Sequence, residues 1–363
     1  MNLEYAKRNI DVIIFLTFFS VAMPLLYVSD IVSISTISLW GRYMCFAIVA
    51  LSLDLLWGYT GILCMCQAFF FCLGGYGIAM HMLLAASGQG AYGAALPDFM
   101  VWNQIDSLPL FWKPFRYFAS TVALGICIPG LVALIFGFFI FRRRIKGVYF
   151  AIITQAFATA MWLLFLRNET MLGGTNGLTD FKTLLGFNLS DSNVKLALYI
   201  LSVIVLALIL WFSYSLTHSK FGKILLGIRD SESRMLFTAY RVSHYKLAVF
   251  VIAAVIASIA GMLYVPQTGI ITPGRMDVRA SIEIIIWVAL GGRGNLKGAI
   301  LGALLVNLFY SFFTSTLPGS WLYIQGILFV ITVLYLDKGV VALLSTAKAY
   351  VETRSIKPKK IIT

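Results

Sequence analysis

Residues 195–216 read KLALYILSVIVLALILWFSYSL, with no charge after the first residue. A run of ~18 or more apolar residues marks a helix that crosses a lipid bilayer. The stretches 117–141 and 246–265 have the same character. Only helices and closed barrels satisfy their backbone groups in lipid, and these runs have helical length. The rest of the chain agrees: 60% of its residues are hydrophobic and 12% charged, against about 25% charged in a soluble domain. The expected fold class is an all-α polytopic membrane protein, with residues 1–363 forming one transmembrane domain.

About ten spans are expected, near 10–28, 39–57, 61–86, 117–141, 147–166, 195–216, 246–265, 280–291, 299–315 and 321–337. The first is expected to be retained rather than cleaved, because further spans follow it at once. Positive residues favour the cytoplasmic side. Placing Arg142, Arg143, Arg144 and Lys146 inside puts 20 of the 28 Lys/Arg on that side. Both termini, the stretch 217–246 and the basic tail 338–363 are then cytoplasmic. The net charge of +13 therefore reads as topology, and nucleic acid is not an expected partner. Trp102, Phe111, Trp112 and Phe115, in an outer loop, are expected at the lipid headgroup level.

Enzyme chemistry finds little support. The chain has no GxxxxGK[ST], HExxH or GxSxG motif, and its three histidines, His81, His218 and His244, have no evident catalytic partners. Cys64-Met65-Cys66 raises a soft-metal site. Residues two apart on a helix do not face each other, so these cysteines are expected to be packing residues and no metal is expected.

The stretch 217–246, THSKFGKILLGIRDSESRMLFTAYRVSHYK, is polar and basic between two apolar runs. Leu225 and Ile228, and again Met235 and Ala239, have helical spacing. Asp230 and Ser231 can cap a new helix, with Glu232 in its first turn. Two short amphipathic helices at a membrane surface are expected, offering a soluble partner something to grip.

Two segments interrupt the span pattern: Gly74-Gly75-Tyr76-Gly77, where close helix packing is the favoured explanation, and a short eighth span running into Gly291-Gly292-Arg293-Gly294-Asn295. Broken or short membrane helices point to substrate pathways. Asp54 and Glu283 are carboxylates inside predicted spans, each near a span end. The candidate pathway lining is Gln67, Thr154, Gln155, Thr159 and Asn307, with Glu283. Such a lining suits a small, polar, largely uncharged solute.

At this point the sequence resembles a known family. LDLLWGYTGILCMCQAFFFCLGGYG (53–77), GVYFAIITQAFA (147–158), SKFGKILLGIRDSESR (219–234), YVPQTGIITPGRM (264–276) and SIEIIIWVALGGRGNLKGAILGALLVN (281–307) carry the resemblance. They are similar to the ABC importer permeases of the branched-chain amino-acid (LivM-like) family. ALPDFM (95–100), FWKPF (111–115) and GGTNGLTDFK (173–182) resemble the urea-importer branch. The resemblance implies a complex with a second, homologous permease, two cytoplasmic ATPase subunits holding ATP and magnesium, and an external solute-binding protein. This chain itself would hold no cofactor. The loop 217–246 would be the ATPase-coupling loop, with Lys223, Arg229, Asp230, Glu232, Arg234, Met235 and Tyr240 as candidate contacts. The implied function is alternating-access import of urea or a short amide. The alternatives are a branched-chain amino acid carried by the same machine, and a stand-alone channel or secondary transporter. Gln67 stands where many relatives have His, so a proton role there is not required.

Overall fold

The computed structural model describes residues 18–87, 96–103, 105, 107–143, 145–238, 240–317, 319–335 and 339–341. Lys7, Arg8, Arg144, Ala239 and nearly all of the tail 338–363 lie outside the described residues. The helices are α1 (Met23–Val28), α2 (Ile34–Thr60), α3 (Gln67–Ala85), α4 (Phe118–Arg142), α5 (Gly147–Leu166), α6 (Ser192–His218), α7 (Lys220–Met235), α8 (Val242–Thr268), α9 (Val278–Gly291), α10 (Leu296–Thr316) and α11 (Trp321–Tyr335). Seven of these (α2 to α6, α8 and α10) are long and apolar enough to cross a membrane. The eighth and tenth expected spans are the shorter α9 and α11. The first is described only from Phe18, as a π-helical turn leading into α1.

α8 is the centre, packed against α2, α3 and α4. Small residues allow the close approach. A Cβ on Gly261 would overlap the Phe71 carbonyl, and one on Gly74 the Ser258 carbonyl. The Gly74–Gly77 segment is therefore continuous helix at a close crossing. On the α4–α5 side, Phe136 stacks on Phe157 at 4.1 Å, and Phe141 on Phe150 at 5.3 Å.

The third span differs from expectation. Its helix starts at Gln67, and Gly61–Cys66 is not helical. Gly61 closes α2 in the left-handed conformation (φ 72°), which glycine adopts without a Cβ clash. The unwound segment brings the Cys64 and Cys66 thiols to 3.4 Å, both buried. The two cysteines do not face apart as expected of a helix, because the backbone between them is not helical. Among the described residues no cluster of metal-ligating groups accompanies them.

The loops at the far end from α7 form a small second core. Trp112 and Phe115 are buried there with Met80 and Met100, and the Trp112 indole donates to the Met171 carbonyl at 3.0 Å. Their expected headgroup position is corrected; Trp102 and Phe111 are exposed. A two-stranded ribbon, β1 (Leu178–Thr179) against β4 (Ile270–Ile271), joins the α5–α6 and α8–α9 connections. A hairpin of β2 (Thr183–Leu184) and β3 (Phe187–Asn188) lies beside it in sequence.

Candidate functional site

Two regions carry functional groups, one at each end of α2. The first is built on α7. Ser219 caps it, its hydroxyl accepting from the Gly222 amide at 3.4 Å. Leu225 and Ile228 turn inward and are buried. The helix breaks at Ser231 (φ −160°, ψ 85°), where the sequence places the cap of a second helix, and ends at Met235. Only one turn follows the break, so the second helix is much shorter than expected, and Val242–Lys246 already belongs to α8.

Several contacts fasten α7 to the bundle. The Arg229 guanidinium donates from Nη1 to the Gly58 carbonyl at 2.8 Å and from Nε to Asp230 at 3.0 Å. Glu232 bridges Lys246 at 2.8 Å and Lys146 at 3.5 Å, joining α7, α8 and the start of α5. Arg234 donates to the Ser231 hydroxyl, and the Met235 sulfur folds back toward Gly227. Lys223 and Tyr240 are exposed, the Tyr240 ring edge-on to Tyr245. Sequence reasoning missed Phe237, which is 93% exposed just beyond the helix. A large aromatic side chain standing free beside basic residues was a readable signal.

Beneath α7, the α9–α10 turn meets α2. The Gly294 amide donates to Asp54 Oδ1 at 2.6 Å, while Oδ2 is buried with no partner. Asn295 caps α10, accepting from the Lys297 and Gly298 amides. α9 has 14 residues, about 21 Å at 1.5 Å per residue, which is too short to cross ~30 Å of hydrocarbon. A Cβ on Gly302 would overlap the Trp287 carbonyl, and one on Gly291 the Gly298 carbonyl. That contact keeps α9 and α10 together.

The second region is a series of cavities between α2, α9, α10 and α11. An open one of about 480 Å³ is lined by Arg275, Asp277, Arg279, Glu283, Tyr310 and Gln325, among others. A smaller, less open one of about 100 Å³ shares Arg275, Glu283, Tyr310 and Gln325 and adds Arg42, Tyr43, Asn307 and Trp321. A third, of about 20 Å³, again reaches Arg275 and Glu283. Tyr43 and Ser311 hydroxyls are hydrogen-bonded in the wall, and Asn307 donates to Ala303 at 2.7 Å. The Arg275 guanidinium lies 5.8 Å over the Tyr264 ring and within electrostatic reach of Glu283.

Of the candidate pathway residues, only Glu283 and Asn307 line these cavities. Gln67 is buried, donating to Ser52 at 2.6 Å and to the Ala253 carbonyl at 2.9 Å. Thr154 is buried and accepts from the Met65 amide at 3.1 Å, which holds the unwound segment in place. Gln155 is exposed, and the Thr159 hydroxyl donates to its carbonyl. The structure thus does not bring the six together. Arg42, a cation inside a predicted span, is the legible signal that the candidate pathway residues lack.

A family model described as the permease component of the branched-chain amino acid transport system matches residues 35–333. The high-affinity branched-chain amino acid transport system permease protein LivM of Escherichia coli is 24% identical over 313 residues, covering 79% of this chain. The chain spans 64% of the length of that relative. The probable branched-chain amino acid transport permease protein LivM of Methanocaldococcus jannaschii is 27% identical over 281 residues, covering 75% of this chain and 78% of its own. The fructose import permease protein FrcC of Rhizobium meliloti is 23% identical over 208 residues, covering 54% and 56%. No solved structure matches significantly. With the matched region running from the start of α2 into α11, the chain belongs to the family of branched-chain amino acid transport system permease components.

Proposed function

We propose that the chain is the membrane permease subunit of an ATP-driven importer in a bacterial cytoplasmic membrane, working by alternating access. The observation that carries this reading is α7. It is an amphipathic helix with its apolar side docked, Lys223 and Arg234 exposed on the other side and Phe237 projecting. Arg229 ties it to the end of a long span. A partner that gripped Lys223, Arg234, Phe237 and Tyr240 would move α2, and through Asp54 and Gly294 the α9–α10 turn. The partners in this reading are two cytoplasmic ATPases that hold ATP and magnesium, a second homologous permease, an external binding protein and the surrounding lipid.

A branched-chain amino acid is the solute that the relatives support best, ahead of the urea expected from the sequence. The urea-branch segments 95–100, 111–115 and 173–182 line none of the three cavities described. The test is uptake into vesicles holding the chain with its co-encoded permease, ATPases and binding protein, with labelled leucine and urea in parallel. Leucine uptake that needs ATP and the binding protein is expected. Urea uptake alone would keep the machine and change the solute. ATP-independent flux through this chain alone would replace the importer by a channel.

A further inference from the structure

Two residues that line the smaller cavity carry buried hydrogen-bond donors without partners. Arg42 Nε and Trp321 Nε1 are both buried with no hydrogen-bond partner, and both residues line it. Trp321 is 8% exposed. Buried donors are normally satisfied, and each exception requires an explanation. Neither group can accept a hydrogen bond, so whatever completes them must bring acceptor atoms.

Charge points the same way. The smaller cavity is lined by two arginines, Arg42 and Arg275, and one carboxylate residue, Glu283. Two positive charges less one negative leave an excess of +1. The open cavity is different: its Arg275 and Arg279 are matched by Asp277 and Glu283, and Arg279 pairs with Asp277 at 2.7 Å. An uncompensated cation inside a membrane domain is costly and marks a functional position. The excess therefore appears in the smaller cavity.

Size and place fit a solute. A cavity of about 100 Å³ exceeds the ~10–15 Å³ that one water requires. Arg42 lies 16 residues before Gly58 on α2, about 24 Å along the helix. The cavity is therefore far from α7, on the side from which an external binding protein would deliver.

We propose that Arg42 and Trp321 form a station that holds the carboxylate of a solute during passage, with Glu283 set to receive a cationic or donor group at its other end. The station rests on the importer reading. It makes the permease itself selective.

The test uses the assembled complex in vesicles and reads the KM and kcat of ATP-driven leucine uptake, with isoamylamine, which lacks the carboxylate, and urea as competitors added on the side of the binding protein, which is kept saturated with leucine. Arg42→Gln is expected to raise KM roughly tenfold or more, and Trp321→Phe, which removes one N–H, roughly threefold. Isoamylamine and urea are expected to compete at least tenfold more weakly than leucine. An unchanged KM in Arg42→Gln would overturn the station, as would urea competing as well as leucine. If Arg42→Gln fails to assemble, Trp321→Phe decides, and an unchanged KM there overturns the proposal. Absence of ATP-driven uptake of any solute by the unmodified complex is a different result: it removes the importer reading and the station with it.

Discussion

The Arg229 guanidinium reaches the carbonyl oxygen of Gly58 at 2.8 Å across a sequence separation of 171 residues. Gly58 lies in the last turn of α2, where carbonyls have no partner within the helix. A cation at a helix C-terminus also complements the macrodipole. The bond thus fastens α7 to a long span at a point that already calls for a donor.

Arg229→Ala should uncouple rather than unfold. The Arg229 side chain is 38% exposed, so its net contribution to stability is small. ATP-driven uptake by the assembled complex should fall about tenfold, the size of one lost charge-assisted hydrogen bond. Assembly with the ATPases should persist, and ATP hydrolysis should continue without transport. Loss of assembly instead would make Arg229 a direct ATPase contact.

Gly58 is also constrained by shape. A Cβ there would overlap Asp54 Oδ1 and the Gly294 amide nitrogen, the two atoms of the hydrogen bond below α7. Gly58→Ala should separate α2 from the α9–α10 turn at a cost of roughly 1–3 kcal/mol, the range for overpacking. Thermal unfolding of the detergent-solubilised chain measures it. An unchanged midpoint would mean that the turn yields freely and that Asp54 does not hold it.

Glu232 compensates Lys246, whose side chain is 7% exposed. Glu232→Gln removes the counter-charge and leaves the ammonium buried. A fully buried pair broken this way loses about 3–5 kcal/mol. Glu232 itself is 21% exposed, so about 2 kcal/mol is expected. Lys246→Met alone should destabilise less, because Glu232 keeps Lys146 at 3.5 Å. The double variant should recover part of the Glu232→Gln loss, the signature of direct coupling. Strict additivity would show that the two residues act independently.

How much of this was readable beforehand depended on range. The long spans are local: an apolar run of ~18 residues needs no partner to be recognised, and α2 to α6, α8 and α10 fall where the runs lie. The break at Ser231 was equally local, announced by Asp230-Ser231. Gly61–Cys66 differs from expectation because an apolar stretch next to a helix gives no sign that tertiary contacts, here the Thr154 hydroxyl on the Met65 amide, will hold it out of the helix. Trp112 and Phe115 looked like interfacial aromatics because composition alone cannot tell a headgroup belt from a small core. The cavity was the least legible part. Arg42, Glu283 and Trp321 are far apart in sequence, and only the packing of α2, α9 and α11 brings them to one wall.

The β1–β4 ribbon provides a test of both packing and orientation. Leu178 and Ile271 are opposite and buried, while Thr179 and Ile270 are opposite and partly exposed. Gly177, at φ 68°, lies so close to Ile271 that a Cβ would overlap its carbonyl, so the register has no room to slide. Opposed residues in an antiparallel pair have Cα atoms ~4.5–5.5 Å apart, inside the ~4.4–6.8 Å span of a disulfide. Thr179→Cys with Ile270→Cys should therefore cross-link. The five native cysteines compete little: four are buried, and the exposed Cys127 lies within α4. If the ribbon faces outward, as the distribution of positive residues predicts, the bond should form in intact cells without added oxidant, since disulfides persist in oxidising compartments. Non-reducing electrophoresis after cleavage in the intervening loop reads the result. Cross-linking only after permeabilisation and added oxidant would keep the ribbon and reverse the orientation. No cross-link under either condition would remove the ribbon itself, and with it the link between the α5–α6 and α8–α9 connections.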